Sequence, residues 1–191
     1  MKRLNYLFFH SPQIRKTYFQ TRPTPDFYWM WAHHGQSPIG LHASMFSQCL
    51  DAFSTEEQRA IWYTKANNYD LIGCYAQTEI GHGSNVAGLE TTATFDKKSD
   101  EFVIHSPTMT STKWWPGDMG RYANYALVMA RLVIETDGEK NDYGVSPFIV
   151  QIRSLEDHKR MPGIKCGDMG PKFGYHSKDN GWLTFDNVRI P

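Results

Sequence analysis

Cysteine is scarce in this chain of 191 residues: three, at positions 49, 74 and 166, with no Cys-x-x-Cys pair. That spacing supports neither a disulfide framework nor a zinc cluster, and it predicts a reducing compartment. Net charge is absent, because 20 basic residues balance 20 acidic ones. No basic field exists to hold nucleic acid or an anionic membrane. No apolar run approaches the roughly 18–20 residues that cross a bilayer, so no membrane span is expected. A Gly-x-Ser-x-Gly nucleophile elbow is missing. His33, His34 and His42 lack a carboxylate at ligand spacing, and Glu79-x-x-His82 falls in a glycine turn rather than on a bundle helix, so no metal site is predicted.

What the chain does have is aromatic surface, 14% of residues with six Trp, and two textures in succession. Residues 1–35 mix basic and aromatic residues with prolines and stay unassigned. Lys2, Arg3, Arg15, Lys16 and Arg22 precede the first acid, Asp26, a faint transit-peptide pattern. From residue 36 to 70 the periodicity is helical. Ser37-Pro38 reads as an N-cap with proline at the first helical position. Leu41, Met45, Cys49 and Ala52 form one stripe, with Phe46, Leu50 and Phe53 beside it. Ser54 and Glu57 read as a capping box for a second helix over about 55–68, packed on the first through Ile61 and Trp62. From Leu71 to Pro191 the texture turns to strands. They are expected at 101–106, 126–133, 148–152 and 182–185. Residues 135–143 read as a polar connector and 161–180 as a glycine-rich loop. The fold class that follows is α+β: a partial helical N-terminal domain, then an antiparallel β-barrel-like domain over 71–191.

The organising stretch is 73–95. An apolar lead-in, Ile72 to Ala76, runs into a turn with glycines at 81, 83 and 88, and alternation resumes at Leu89. The hydroxyls of Thr78 and Ser84, the amide of Gln77 and unobstructed backbone N–H groups suit an anionic, flat ligand edged with heteroatoms. The dinucleotide fingerprint is not present: Val86 stands where Gly81-His82-Gly83 would need a third glycine, and a strand follows instead of a helix.

Tyr75-Ala76-Gln77-Thr78-Glu79, Gly81-His82-Gly83-Ser84 and Gly88-Leu89-Glu90-Thr91-Thr92-Ala93-Thr94 together resemble the flavin-binding signature of the peroxisomal acyl-CoA oxidases. Lys113-Trp114-Trp115-Pro116-Gly117 and Gly167-Asp168-Met169-Gly170-Pro171-Lys172-Phe173-Gly174-Tyr175, with Asp179-Asn180-Gly181, agree in the same order. The resemblance runs from about His33 to Pro191. It implies FAD as cofactor, fatty acyl-CoA as substrate, O2 as electron acceptor, a homodimer and a place in peroxisomal β-oxidation, although Arg189-Ile190-Pro191 is no Ser-Lys-Leu-type address.

It further implies that Tyr75, Ala76, Gln77 and Thr78 line the flavin ring. Gly83 and Ser84 lie toward the phosphates or the pantetheine arm, Trp115 packs beside the isoalloxazine, and Gly117 gives backbone contact. Lys113 and Arg121 are expected to be solvated or near phosphate. In the family the glutamate that takes the α-proton lies in a C-terminal helical domain beyond the end of this sequence. No catalytic residue is therefore expected in the chain, which is expected to be inactive alone as a fragment, a truncated isoform or an incomplete gene model of such an oxidase. Should a carboxylate here act as base, Glu79 is the one to test. Two other readings stay open: an acyl-CoA dehydrogenase-type flavoenzyme, and a non-catalytic fragment that binds CoA esters or pairs with a full-length subunit.

Overall fold

The computed structural model describes residues 39–176 and 178–191. The segment 1–35, the Ser37-Pro38 cap and His33 and His34 lie outside the described residues. A π-helical turn, His42–Phe46, leads into α1 (Ser47–Phe53), and α2 follows at Glu56–Asn67. The extra residue of the π-turn rotates the buried stripe away from the one that plain 3.6 periodicity predicts. His42, Phe46, Ser47 and Leu50 are buried, whereas Met45 is partly exposed and Ala52 lies on the surface. The capping box is one residue later than expected. The Thr55 hydroxyl accepts from the Gln58 N–H, and the Gln58 side chain accepts from the Thr55 N–H. Trp62 packs against the Phe46–Leu50 cluster, but Ile61 points outward.

Among the described residues nine strands follow: β1 (Gly73–Ala76), β2 (Thr92–Asp96), β3 (Glu101–His105), β4 (Lys113–Gly117), β5 (Tyr125–Thr136), β6 (Glu139–Gln151), β7 (Ile164–Asp168), β8 (Asn180–Phe185) and β9 (Val188–Ile190). Six of them, in the order β1-β5-β2-β3-β9 with β6 on β5, form a sheet curled as a half-barrel, and β4-β8-β7 form a second sheet. The α+β, barrel-like class is thus observed. Most pairings are antiparallel; β1 and β2 pair parallel to β5. Cys74, Ala93, Ile104, Ala126, Val128 and Leu183 are among the buried residues between the sheets.

Two segments read as irregular are strands. The polar connector at 135–143 is the tip of the β5–β6 hairpin, turning at Asp137 and Gly138 with φ of 55° and 82°. Positive φ at both positions is the type I′ hairpin turn that Asp-Gly favours. The glycine-rich stretch contains β7, paired over its whole length with β8.

The pairing of β5 positions the site. Ala76 lies opposite Val128, and Thr92 lies opposite Arg131. With β6 occupying the other edge of β5, β1 and β2 run in file along one edge. They act as a single strand interrupted by an excursion, residues 77–91. The central loop of the sequence is that excursion.

Candidate functional site

The excursion is closed at its base by a buried ion pair. Glu79 and Lys113 both have side chains with 0% exposure, and Lys113 Nζ lies 2.9 Å from Glu79 Oε1. The Glu79 carboxylate also accepts from the N–H of Glu90 at 2.8 Å, the N–H of Thr91 at 3.0 Å and the Thr91 hydroxyl at 2.6 Å. Lys113 Nζ donates in addition to the carbonyls of Gln77 at 3.1 Å and Met129 at 2.6 Å. One pair therefore joins both ends of the loop, β4 and β5. Lys113 is not solvated, contrary to the expectation from its sequence context. Burial pulls its pKa down to about 8 against the opposing pull of Glu79. Glu79 is likewise excluded as an accessible base, since its oxygens are committed and enclosed.

Arg131, the one charge in the apolar run of β5, secures the far side of the loop. Its guanidinium donates to the carbonyls of Leu89 at 3.1 Å and Ala87, and its N–H bonds the Thr91 carbonyl at 2.8 Å. Outside this base the loop carries a polar cluster. Glu90 accepts from Thr108 and, at 2.9 Å, from Thr110, and pairs with His82 at 2.9 Å. Hydrogen bonds from Thr108, His82 and Thr110 lower the Glu90 pKa. A carboxylate so stabilised in its ionised form is a weak base.

The predicted ligand-binding residues fall into two groups. Tyr75 and Ala76 end β1, with Ala76 fully buried and Tyr75 partly so. The Tyr75 hydroxyl donates to Gln77 Oε1 at 2.6 Å. The N–H of Trp114 donates to the Thr78 carbonyl at 2.8 Å, which lays Lys113-Trp114-Trp115 alongside Gln77 and Thr78. The Thr78 hydroxyl and N–H make no hydrogen bond among the described residues. Trp115 has φ of 81° and is 50% exposed, at the point where the β4–β8 register shifts. Positive φ on a bulky residue is strained, and such strain clusters where function requires it. Gly117 is buried, and a Cβ there would lie 2.4 Å from Leu41 Cδ1 and 3.1 Å from Lys178 Cε. Its intolerance of bulk is thus already set by this chain. Gly83 and Ser84 are exposed, and nothing lies within 4 Å of a Cβ at Gly83. Arg121 is exposed and paired with Asp168 at 2.8 Å.

Sequence reasoning missed a second buried ion pair. Lys178 pairs with Asp118, whose other oxygen accepts from the His42 N–H at 3.2 Å. The pair ties the start of the helical segment to β4 and to the turn before β8. No spacing rule links positions 42, 118 and 178. Burial raises the Asp118 pKa to about 7, outweighing the Lys178 ammonium. An acid whose pKa is higher in the folded than in the unfolded chain is neutral when folded and charged when unfolded between those values. Its contribution to stability therefore falls as pH rises from about 4 to about 7, by at most about 1.4 kcal/mol per unit. Thermal melts of wild type and Asp118→Asn over that range should show the wild type losing ground with rising pH; parallel curves would refute it.

Among the described residues no group of three or more His, Cys, Asp or Glu is placed to hold a metal ion. A groove of about 780 Å³ lies between α1, α2 and residues of β5, β6 and β9, lined by none of the predicted ligand-binding side chains.

A helical lead-in followed by a half-barrel, with a glycine loop interrupting one strand, defines a class. Residues 74–188 match the family model described as acyl-CoA dehydrogenase, middle domain, and residues 12–72 match acyl-coenzyme A oxidase N-terminal. The chain is 57% identical to peroxisomal acyl-coenzyme A oxidase 1 of Arabidopsis thaliana over 156 residues, covering 80% of this chain and 23% of that protein. To the Rattus norvegicus protein of the same name it is 51% identical over 154 residues, 81% and 23% of the respective lengths. An acyl-CoA oxidase structure from Lycopersicon esculentum superposes with a TM-score of 0.83 at 47% identity, covering 99% of this chain and 28% of that one. Acyl-CoA oxidase-1 of Caenorhabditis elegans, complexed with FAD and ATP, gives 0.76 at 47% identity, with 81% and 23% covered. This chain belongs to the acyl-CoA oxidase family. It spans 23% of the length of the curated relatives it matches.

Proposed function

We propose that this chain forms the N-terminal and middle part of an FAD-dependent acyl-CoA oxidase. The whole enzyme would oxidise fatty acyl-CoA to 2-trans-enoyl-CoA, use O2 as acceptor, release H2O2 and work in the peroxisome as a homodimer. The division at 1–35, 36–70 and 71–191 belongs to the same reading. Bound FAD would supply a hydride acceptor for the substrate β-carbon and pass the electrons to oxygen.

The observation that carries the proposal is the surface made by Thr78 and Trp115. A hydroxyl and an N–H that make no hydrogen bond among the described residues lie on the segment bonded to Trp114, next to an exposed indole held at positive φ. A flat heteroaromatic ring fits there: the indole offers a stacking face, and the Thr78 groups offer donors to ring oxygens and nitrogens. Tyr75, Ala76 and Gln77 complete the wall, with the Gln77 side chain oriented by the Tyr75 hydroxyl. Gly117 would approach through backbone only. Gly83 and Ser84, both exposed, would meet the phosphate or pantetheine portion of a ligand. The oxidase reading is preferred to a dehydrogenase one by the Trp-Trp-Pro-Gly and Gly-Pro-Lys-Phe-Gly-Tyr wording.

Trp115→Ala tests this. The side chain is half exposed, so melting of the apoprotein should shift by about 0.5 kcal/mol or less. FAD affinity, read by fluorescence quenching in the intact enzyme, should fall about tenfold with the loss of one aromatic stack. Unchanged FAD affinity would remove Trp115 from the site.

A further inference from the structure

We propose, resting on the flavin reading above, that Lys113 is a positioning residue that acts from inside the protein: it clamps the Gln77 carbonyl so that the Thr78 N–H faces the ligand as a strengthened donor. Lys113 Nζ donates to the Gln77 carbonyl at 3.1 Å. The peptide joining Gln77 to Thr78 is trans, as are all peptide bonds described. In a trans peptide the C=O and the following N–H point in opposite directions. A carbonyl aimed inward at a buried ammonium therefore aims its N–H outward. The Trp114 N–H on the Thr78 carbonyl fixes the next peptide and prevents the pair from turning over. An ammonium on the carbonyl polarises the whole amide, and in a dry interior such chains strengthen one another. The outward N–H has no protein acceptor among the described residues. Its residue is bonded to Trp114, next to the exposed Trp115, so what it is armed to meet is an electron-rich oxygen or nitrogen on the edge of the ring that stacks there.

The surroundings of Lys113 make its charge readable. Among the described residues Glu79 is the one charged group hydrogen-bonded to it. β5 presents the Met129 carbonyl, and β8 presents Leu183 opposite it in the sheet. The loop's other titratable side chains, His82 and Glu90, pair with each other on the outer side. Removing the Lys113 proton at alkaline pH removes the polarisation without a mutation.

Carbon-detected NMR of the labelled chain without FAD, from pH 6.5 to 9.5, avoids losses from amide exchange. The Gln77 carbonyl carbon and the Thr78 nitrogen should shift together with the Lys113 side-chain resonances, with a midpoint near 8. The core resonances of Ala93 and Ile104 should move far less. Stationary Gln77 and Thr78 signals would overturn the proposal. So would a shift of the whole loop in unison, which would make Lys113 a structural tie only. A second arm adds FAD to the intact enzyme: its dissociation constant should rise about tenfold between pH 7 and pH 9, the scale of one hydrogen bond with charged character. If FAD binds but its affinity ignores the Lys113 titration, the positioning role fails and the flavin reading stands. If the resonances track Lys113 but FAD never perturbs Thr78, the flavin reading fails instead.

Discussion

Lys113→Met is expected to lower the unfolding free energy of the chain by about 3–5 kcal/mol, the usual cost of stripping one partner from a buried ion pair. The Glu79 carboxylate would keep its three donors from Glu90 and Thr91 but lose its counter-ion at 0% exposure. The Gln77 and Met129 carbonyls would lose a donor at the same time. A domain of this size has about 5–15 kcal/mol in hand, so the variant should melt far below wild type and open first at the loop. Adding Glu79→Gln should return part of the loss, because it removes the stranded charge. It should not return all of it, since an amide cannot accept from every donor that now meets the carboxylate. Urea titrations of the two variants and wild type measure this. A single variant within about 1 kcal/mol of wild type would show that the pair does not hold the loop as described.

A polypeptide of these 191 residues, supplied with FAD and a fatty acyl-CoA in air, is expected to produce no peroxide above background. The α-proton of a thioester is weakly acidic, and its transfer to a positioned base is typically worth about 10²–10⁴ in rate. Of the carboxylates on the loop, Glu79 is enclosed, and Glu90 is held ionised by hydroxyl and imidazole donors. Glu90, with its side chain 28% exposed, replaces Glu79 as the residue to examine should turnover be seen. Peroxide that persists in Glu90→Gln would place a working base somewhere these residues do not suggest.

Local wording carried much of this. The strand at β5, the loop at 77–91 and the class of fold are written in runs of neighbouring residues, which alternation and glycine placement expose. The short strands β4 and β7 are not, because Trp-Trp-Pro-Gly and Lys-Cys-Gly-Asp show no period; only pairing with β8 makes them strands. Asp137-Gly138 was readable, as the dipeptide asks for positive φ, and the polar residues around it disguised a hairpin as a connector. The two buried ion pairs were out of reach for another reason. Glu79 and Lys113 are 34 positions apart, and Asp118 and Lys178 are 60. A lysine in a polar-aromatic context reads as a surface residue until the sheets enclose it. The π-turn at His42–Phe46 displaced the helical stripe by inserting a residue that no propensity marks.

Because β1 and β2 dock independently on successive stretches of β5, each half of the interrupted strand keeps its own register whatever lies between them. The segment from Ile80 to Gly88 is thus a replaceable cassette on a fixed frame. Lengthening it, shortening it or exchanging it for a relative's version alters what the surface recognises while the sheet and its clamp stay as they are. A lineage can try new ligand chemistries there without renegotiating its architecture.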